Sequence, residues 1–259
     1  MMGKPTMILA GVVGASLLCV GGWFVTGASG DNPWPDSGPV FGDGKDRYRS
    51  STAADWVSNA DHVVVATAVS EKEIPPSQGE IDRGEGLIGR SVEMRVDQVL
   101  WSREGAEHPA PQTYTRQSTG WVFDDEPANR HEYALHERPR IEPGHSYVIA
   151  LHWEPARCSE GDEPDPAGWV GLGSGSTLPF DEGTLGKGEF EGTERPAPSP
   201  SAATRATTGD GTPVADLLTG QGADQIKELL ATASPTSIPA NSSASSSAGS
   251  SARTTSGSC

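Results

Sequence analysis

The chain has 259 residues, 34% hydrophobic and 21% charged, with 32 glycines and 21 prolines. Its formal net charge is −16, from 35 acidic against 19 basic side chains, and no basic patch stands out along it. A polyanion would be repelled, which excludes nucleic acid as a partner. The three cysteines exclude a disulfide framework and a four-cysteine zinc site.

Residues 1–6 form a short basic end carrying Lys4. Residues 7–28 (MILAGVVGASLLCVGGWFVTGA) are uncharged throughout and are succeeded by Asp31, Asp36 and Asp43. A run of about 20 such residues is long enough to cross a bilayer as a helix, and the charge asymmetry places the chain beyond residue 28 outside the cytoplasm. Trp23 and Phe24 suit an interfacial belt at its outer end. The expectation is a single-pass anchor, amino terminus inside and carboxyl terminus outside. The alternative is a signal peptide cleaved after Thr26-Gly27-Ala28, releasing a secreted form that begins at Ser29. Leu17 and Leu18 precede Cys19 and Val20–Val25 continues the run, which argues against lipidation and makes Cys19 an apolar filler.

Residues 29–45 are rich in Pro, Gly and Asp and read as a spacer. An extracytoplasmic β-rich domain is expected over residues 46–233. Ser51 or Thr52 caps a short helix through Trp56. Residues 62–70 (HVVVATAVS) read as a buried strand, and residues 72–89 as a Pro/Gly-rich loop. Over residues 90–101, Val92, Met94 and Val96 alternate with Glu93, Arg95 and Asp97. Val99 and Trp101 then resume the other phase, a shift that implies a bulge. Residues 113–122 suggest a weaker strand pair, Pro143-Gly144 a turn, and residues 146–153 (SYVIALHW) a further strand.

Short apolar fragments between glycines over residues 169–190 read as edge strands or a lid, and residues 193–212 as a flexible linker. Val214, Leu217, Leu218, Ile226, Leu229 and Leu230 sit on helical spacing, broken by Gly220 and Gly222 into two helices that pack on the sheet. Of the 26 residues 234–259, 14 are Ser or Thr, so that tail is expected to be disordered.

No motif supplies chemistry. His131 and His136 are five apart, whereas a zinc-protease helix needs four; they read as exposed loop histidines. Gly171-Leu172-Gly173-Ser174-Gly175-Ser176 lacks the third glycine and the subsequent helix of a dinucleotide fingerprint, and reads as a flexible turn. The acidic groups at Asp124–Glu126, Asp162–Asp165 and Asp181–Glu182 lack calcium-loop spacing. No catalytic, cofactor-binding or metal-ligating residue is assigned, and no cofactor is expected.

The order Ala60–Val69, Val92–Leu100 and Pro143–Leu151 resembles exported, membrane-anchored proteins of actinobacterial type and, more distantly, netrin-like modules such as the tissue metalloproteinase inhibitors. That resemblance implies a fold, mainly β with α: a small five-stranded OB-type barrel with flanking helices after the transmembrane helix. The inhibitors chelate zinc through an amino-terminal cysteine that this domain lacks, so their activity is not implied. The functional expectation is a non-catalytic binding module of the cell envelope, held to the membrane through residues 7–28, with an envelope protein or glycan as partner. Alternatives are a secreted or anchored hydrolase with a dispersed site, marked by convergence of several of His62, His108, His145 and His152, or a protease-inhibitor-like or signalling module.

Overall fold

A computed structural model describes residues 38–158, 165–197 and 211–236. The anchor or signal segment, the linker over 198–210 and the tail beyond 236 lie outside the described residues. Among those described, no helix is long and apolar enough to cross a membrane.

The body is mainly β. Strands β1 (Val40–Gly42), β2 (His62–Ile74), β3 (Glu85–Ser102), β4 (Thr113–Asp124), β5 (Arg130–Leu135), β6 (Ser146–Glu154), β7 (Gly168–Gly171) and β8 (Thr177–Pro179) form one eight-stranded sheet. Its order is β1-β5-β4-β3-β2-β6-β7, with β8 continuing beside β7 on the same edge of β6. A separate hairpin pairs β9 (Gly188–Phe190) with β10 (Thr193–Arg195). Helices α1 (Ala53–Asn59), α2 (Gln78–Arg83), α3 (Val214–Leu218) and α4 (Ala223–Thr232) complete the fold.

The central strands are buried on both faces, so their sequences are continuous apolar runs instead of alternations. Val63 and Val65 of β2 and Val148 and Ala150 of β6 point to an outer layer. There Trp56, Val214, Ile226 and Leu230 from α1, α3 and α4 cover them. Val64, Ala66 and Ala68, with Tyr147, Ile149 and Leu151, point to an inner layer with Val92, Met94, Tyr114 and Trp169. The sheet curls around that inner layer, yet no ladder closes it among the described residues. An open sheet of eight strands therefore stands where five closed strands were expected.

Several local expectations change. Residues 40–42 of the supposed spacer add to the sheet as β1, parallel to β5. The supposed loop over 72–89 continues β2 to Ile74, turns through α2 and starts β3 at Glu85. A capping box between Ser77 and Glu80 nucleates that helix, and Gly84, at φ +73°, ends it. The expected pair over 113–122 is one strand, β4, carrying an irregularity opposite Ile88 and Gly89. The phase change in β3 is real and arises from two register shifts against β2. They turn Leu100 into the outer layer and leave Val99 43% exposed, the reverse of the expectation at Val99. His131 lies half-buried on β5 instead of in a loop, whereas His136 is exposed in the turn that follows, as expected, with its ring stacked on Phe41 at 4.9 Å. Thr193–Arg195 of the supposed linker is β10.

One end of the inner layer is polar. Arg90, wholly buried, donates through Nε to the Thr119 carbonyl at 2.7 Å and through Nη2 to the Arg140 carbonyl at 2.6 Å. Its Nη1 meets the carboxylates of Glu71 and Glu142. Glu189 of β9, 2% exposed, accepts four hydrogen bonds, from the backbone N–H groups of Arg140, Ile141 and Gly192 and from the Tyr147 hydroxyl. Burial and the Glu189 charge push the Tyr147 phenol far up, so it stays a donor. Through the Tyr147 hydroxyl and the Arg140 and Ile141 N–H groups, Glu189 fastens the β9–β10 hairpin to the sheet.

Candidate functional site

Of the four histidines, His62 and His108 meet in one aromatic cluster, whereas His152 sits against Asp61 and His145 against Asp181. His62 donates from Nε2 to the His108 carbonyl at 2.8 Å and accepts at Nδ1 from Ser102 at 2.9 Å, the tautomer being set by the carbonyl acceptor. It thereby holds the β3–β4 loop so that the His108 ring lies 4.2 Å from that of Trp153, which packs edge-on to Trp169 at 5.2 Å. His152 Nδ1 sits 3.3 Å from an Asp61 carboxylate oxygen beside β2. His145 precedes the other end of β6, about 20 Å away at the rise of an extended strand.

Next to the aromatic group, Tyr114 and Arg116 project from β4 toward β7. The Tyr114 hydroxyl and Nε and Nη1 of Arg116 are buried without a well-formed hydrogen bond among the described residues. Burial pushes the Tyr114 phenol up to about 12, and the adjacent Arg116 charge opposes it only in part. An unfolded tyrosine ionises near pH 10, so above that pH unfolding releases a proton and stability falls until the folded phenol ionises. Between pH 10 and 12, Tyr114 should contribute a loss of about 1.4 kcal/mol per pH unit. Urea titrations at pH 9, 10 and 11 should show a shallower decline in Tyr114→Phe than in the parent, and identical slopes would refute the assignment.

The glycine-rich segment is not a free turn. Asp46 reaches into it and accepts from the Ser174 N–H at 2.8 Å, the Ser174 hydroxyl at 2.6 Å and the Ser50 hydroxyl at 3.1 Å, while Arg138 binds its other oxygen. A Cβ at Gly173 would stand 2.4 Å from that carboxylate, so the glycine is required by the close approach. The loop is an anion cradle already filled by the protein's own side chain, which gives the non-nucleotide reading its physical reason.

Two concave features stand out among the described residues. A small one of about 200 Å3 lies beside this loop, bordered by Lys45, Arg47, Tyr48 and Glu154. The larger, about 380 Å3, lies between α3, β8 and the β9–β10 hairpin. Leu178, Leu185, Pro179 and Phe190 give it an apolar lining, and Glu137, Asp216 and Arg195 bring charge to it. Arg195 lies 3.5 Å from the Phe190 ring centroid and 3.7 Å from the Glu191 carboxylate, so its cation is partly engaged.

A third cluster is not legible in the sequence. His145, before β6, Asp181, after β8, and Glu194, on β10, bring their ligand-capable atoms within 4.8 Å of one another. His145 Nδ1 is 2.6 Å from one Asp181 oxygen, and the other accepts the Ser146 N–H at 2.8 Å. Asp181 and Glu182, adjacent acids in the sequence, diverge: Glu182 pairs with Lys187. The 36-residue gap between His145 and Asp181 carries no local signature.

Fold and surface together define a mainly β protein, a curled open sheet with helices on its outer face and a groove beside a β-hairpin. The chain matches no protein-family model, no curated protein and no solved structure.

Proposed function

We propose that this chain is a membrane-anchored, extracytoplasmic, non-catalytic binding module of the cell envelope, tethered through residues 7–28. The groove carries this reading: its volume of about 380 Å3, apolar lining and few charged groups suit recognition of a partner side chain or sugar ring. Its partner is an envelope protein or a glycan. The OB-type, netrin-like kinship belongs to the same proposal, and the curl of the sheet that brings β4 near β7 supports it.

The test places a photo-crosslinking residue at Ala215, in the groove, and separately at Ile81 on α2, which is 40% exposed and outside it. In host cells the Ala215 form of the full chain should give a discrete adduct that stays in the membrane fraction through a carbonate wash, and the Ile81 form should not. Adducts at both positions, or at neither, would count against the groove. Recovery of a soluble form beginning at Ser29 would overturn the tether.

A further inference from the structure

The geometry points to a divalent transition-metal site at His145, Asp181 and Glu194, with Zn2+ as the best-matched ion. One imidazole nitrogen and two carboxylates make a mixed N/O set. Carboxylates alone would favour Ca2+ or Mg2+, whereas the imidazole shifts preference toward Zn2+ and its neighbours. Three protein ligands leave a coordination position open for water or for a carboxylate of a partner.

The backbone of each ligand is held by contacts independent of the other two. The His145 backbone is held at both ends, its N–H donating to the Glu142 carbonyl at 3.2 Å and its own carbonyl accepting from Ala68 at 3.0 Å. One Asp181 oxygen is fixed by the Ser146 N–H, which leaves the other turned to His145, the arrangement by which backbone donors aim metal-binding carboxylates. Room for Asp181 comes from Gly188, at φ +116°, where a Cβ would stand 2.6 Å from that carboxylate. Glu194 is paired in register with Glu189, the buried anchor of the hairpin. Three separate segments therefore bring potential donors within 4.8 Å of one another.

His145 Nδ1 and the nearer Asp181 oxygen lie 2.6 Å apart, within hydrogen-bond distance. A metal about 2.0–2.1 Å from each donor needs them roughly 3 Å apart or slightly more. Both side chains are about one-fifth exposed, so a small rotation supplies that opening. Binding replaces the His145–Asp181 hydrogen bond with a bond from each group to the ion. A bound ion would fasten β10 to the ends of β6 and β8. That hairpin carries Phe190 and Arg195 into the groove, yet the site stands whether or not the groove binds a partner.

The experiment titrates Zn2+ into the full-length, untagged chain in detergent by calorimetry and tracks thermal unfolding with and without the metal. One ion per chain should bind and raise Tm by several degrees, since a ligand bound only by the folded state stabilises it. His145→Gln and Glu194→Gln should each weaken binding at least about 10-fold and abolish the Tm rise. Glu194 is exposed, so Glu194→Gln should leave the metal-free Tm unchanged and separate lost binding from lost folding. Absence of Zn2+ binding, or binding retained in either variant, would overturn the site.

Discussion

Replacing Glu189 with alanine should destabilise the protein by more than about 4 kcal/mol, the largest effect expected of any single substitution here. The carboxylate is 2% exposed and is the acceptor for three backbone N–H groups and the Tyr147 hydroxyl. Deleting it strands four donors where water is excluded, at about 1–3 kcal/mol for each that stays unmet. Two of those donors are the N–H groups of Arg140 and Ile141, and Ile141 is a β-branched residue held at φ +63°. That conformation costs on the order of 1–3 kcal/mol and persists only while its surroundings enforce it. Glu189→Gln should fall between, because one oxygen survives while the new amide group faces donors. Urea unfolding monitored by far-UV circular dichroism measures both. An alanine variant within about 1 kcal/mol of the parent would refute this mode of attachment for the hairpin.

The second large effect lies on the opposite face of the sheet. Trp56→Ala should cost about 3–5 kcal/mol, the range for emptying a fully buried aromatic site. Trp56 has no exposed surface, joins α1 to Val63, Val148 and the α4 residues Ile226 and Leu230, and donates from Nε1 to the Ser50 carbonyl at 2.6 Å. That bond also positions the segment carrying Asp46 into its glycine-rich cradle. Trp56→Phe keeps most of the volume and loses the bond, so it should cost much less than the alanine variant. Equal losses for the two would show that the hydrogen bond, not the packing, dominates.

Glu189 and Trp56 differ in how visible their roles are in the sequence. The apolar strands β2 and β6 and the helix α4 are legible because burial demands apolar side chains at a local period, and a window of ten residues displays it. The capped start of α1 is legible for a similar reason: Thr52 and Asp55 are three apart, and their reciprocal bonds form within one turn. The same box at Ser77 and Glu80 is masked because prolines and glycines around it carry the stronger signature of a loop. Arg90 and Glu189 give no local sign of burial. Charged residues read as surface until the partners that compensate them are known, and those of Glu189 include Ile141, 48 residues away.

The sequence by itself determined the compartment expectation, the acidic surface, the principal buried strands and the absence of any contiguous catalytic motif. Each of those properties lies in neighbouring residues or in totals over the chain. Tertiary structure alone decided that the sheet stays open with β1 added in parallel, that Asp46 fills the glycine loop, and that His145, Asp181 and Glu194 meet. Those outcomes depend on which distant segments become neighbours, and hydrogen-bond and charge complementarity between them has no period along the chain.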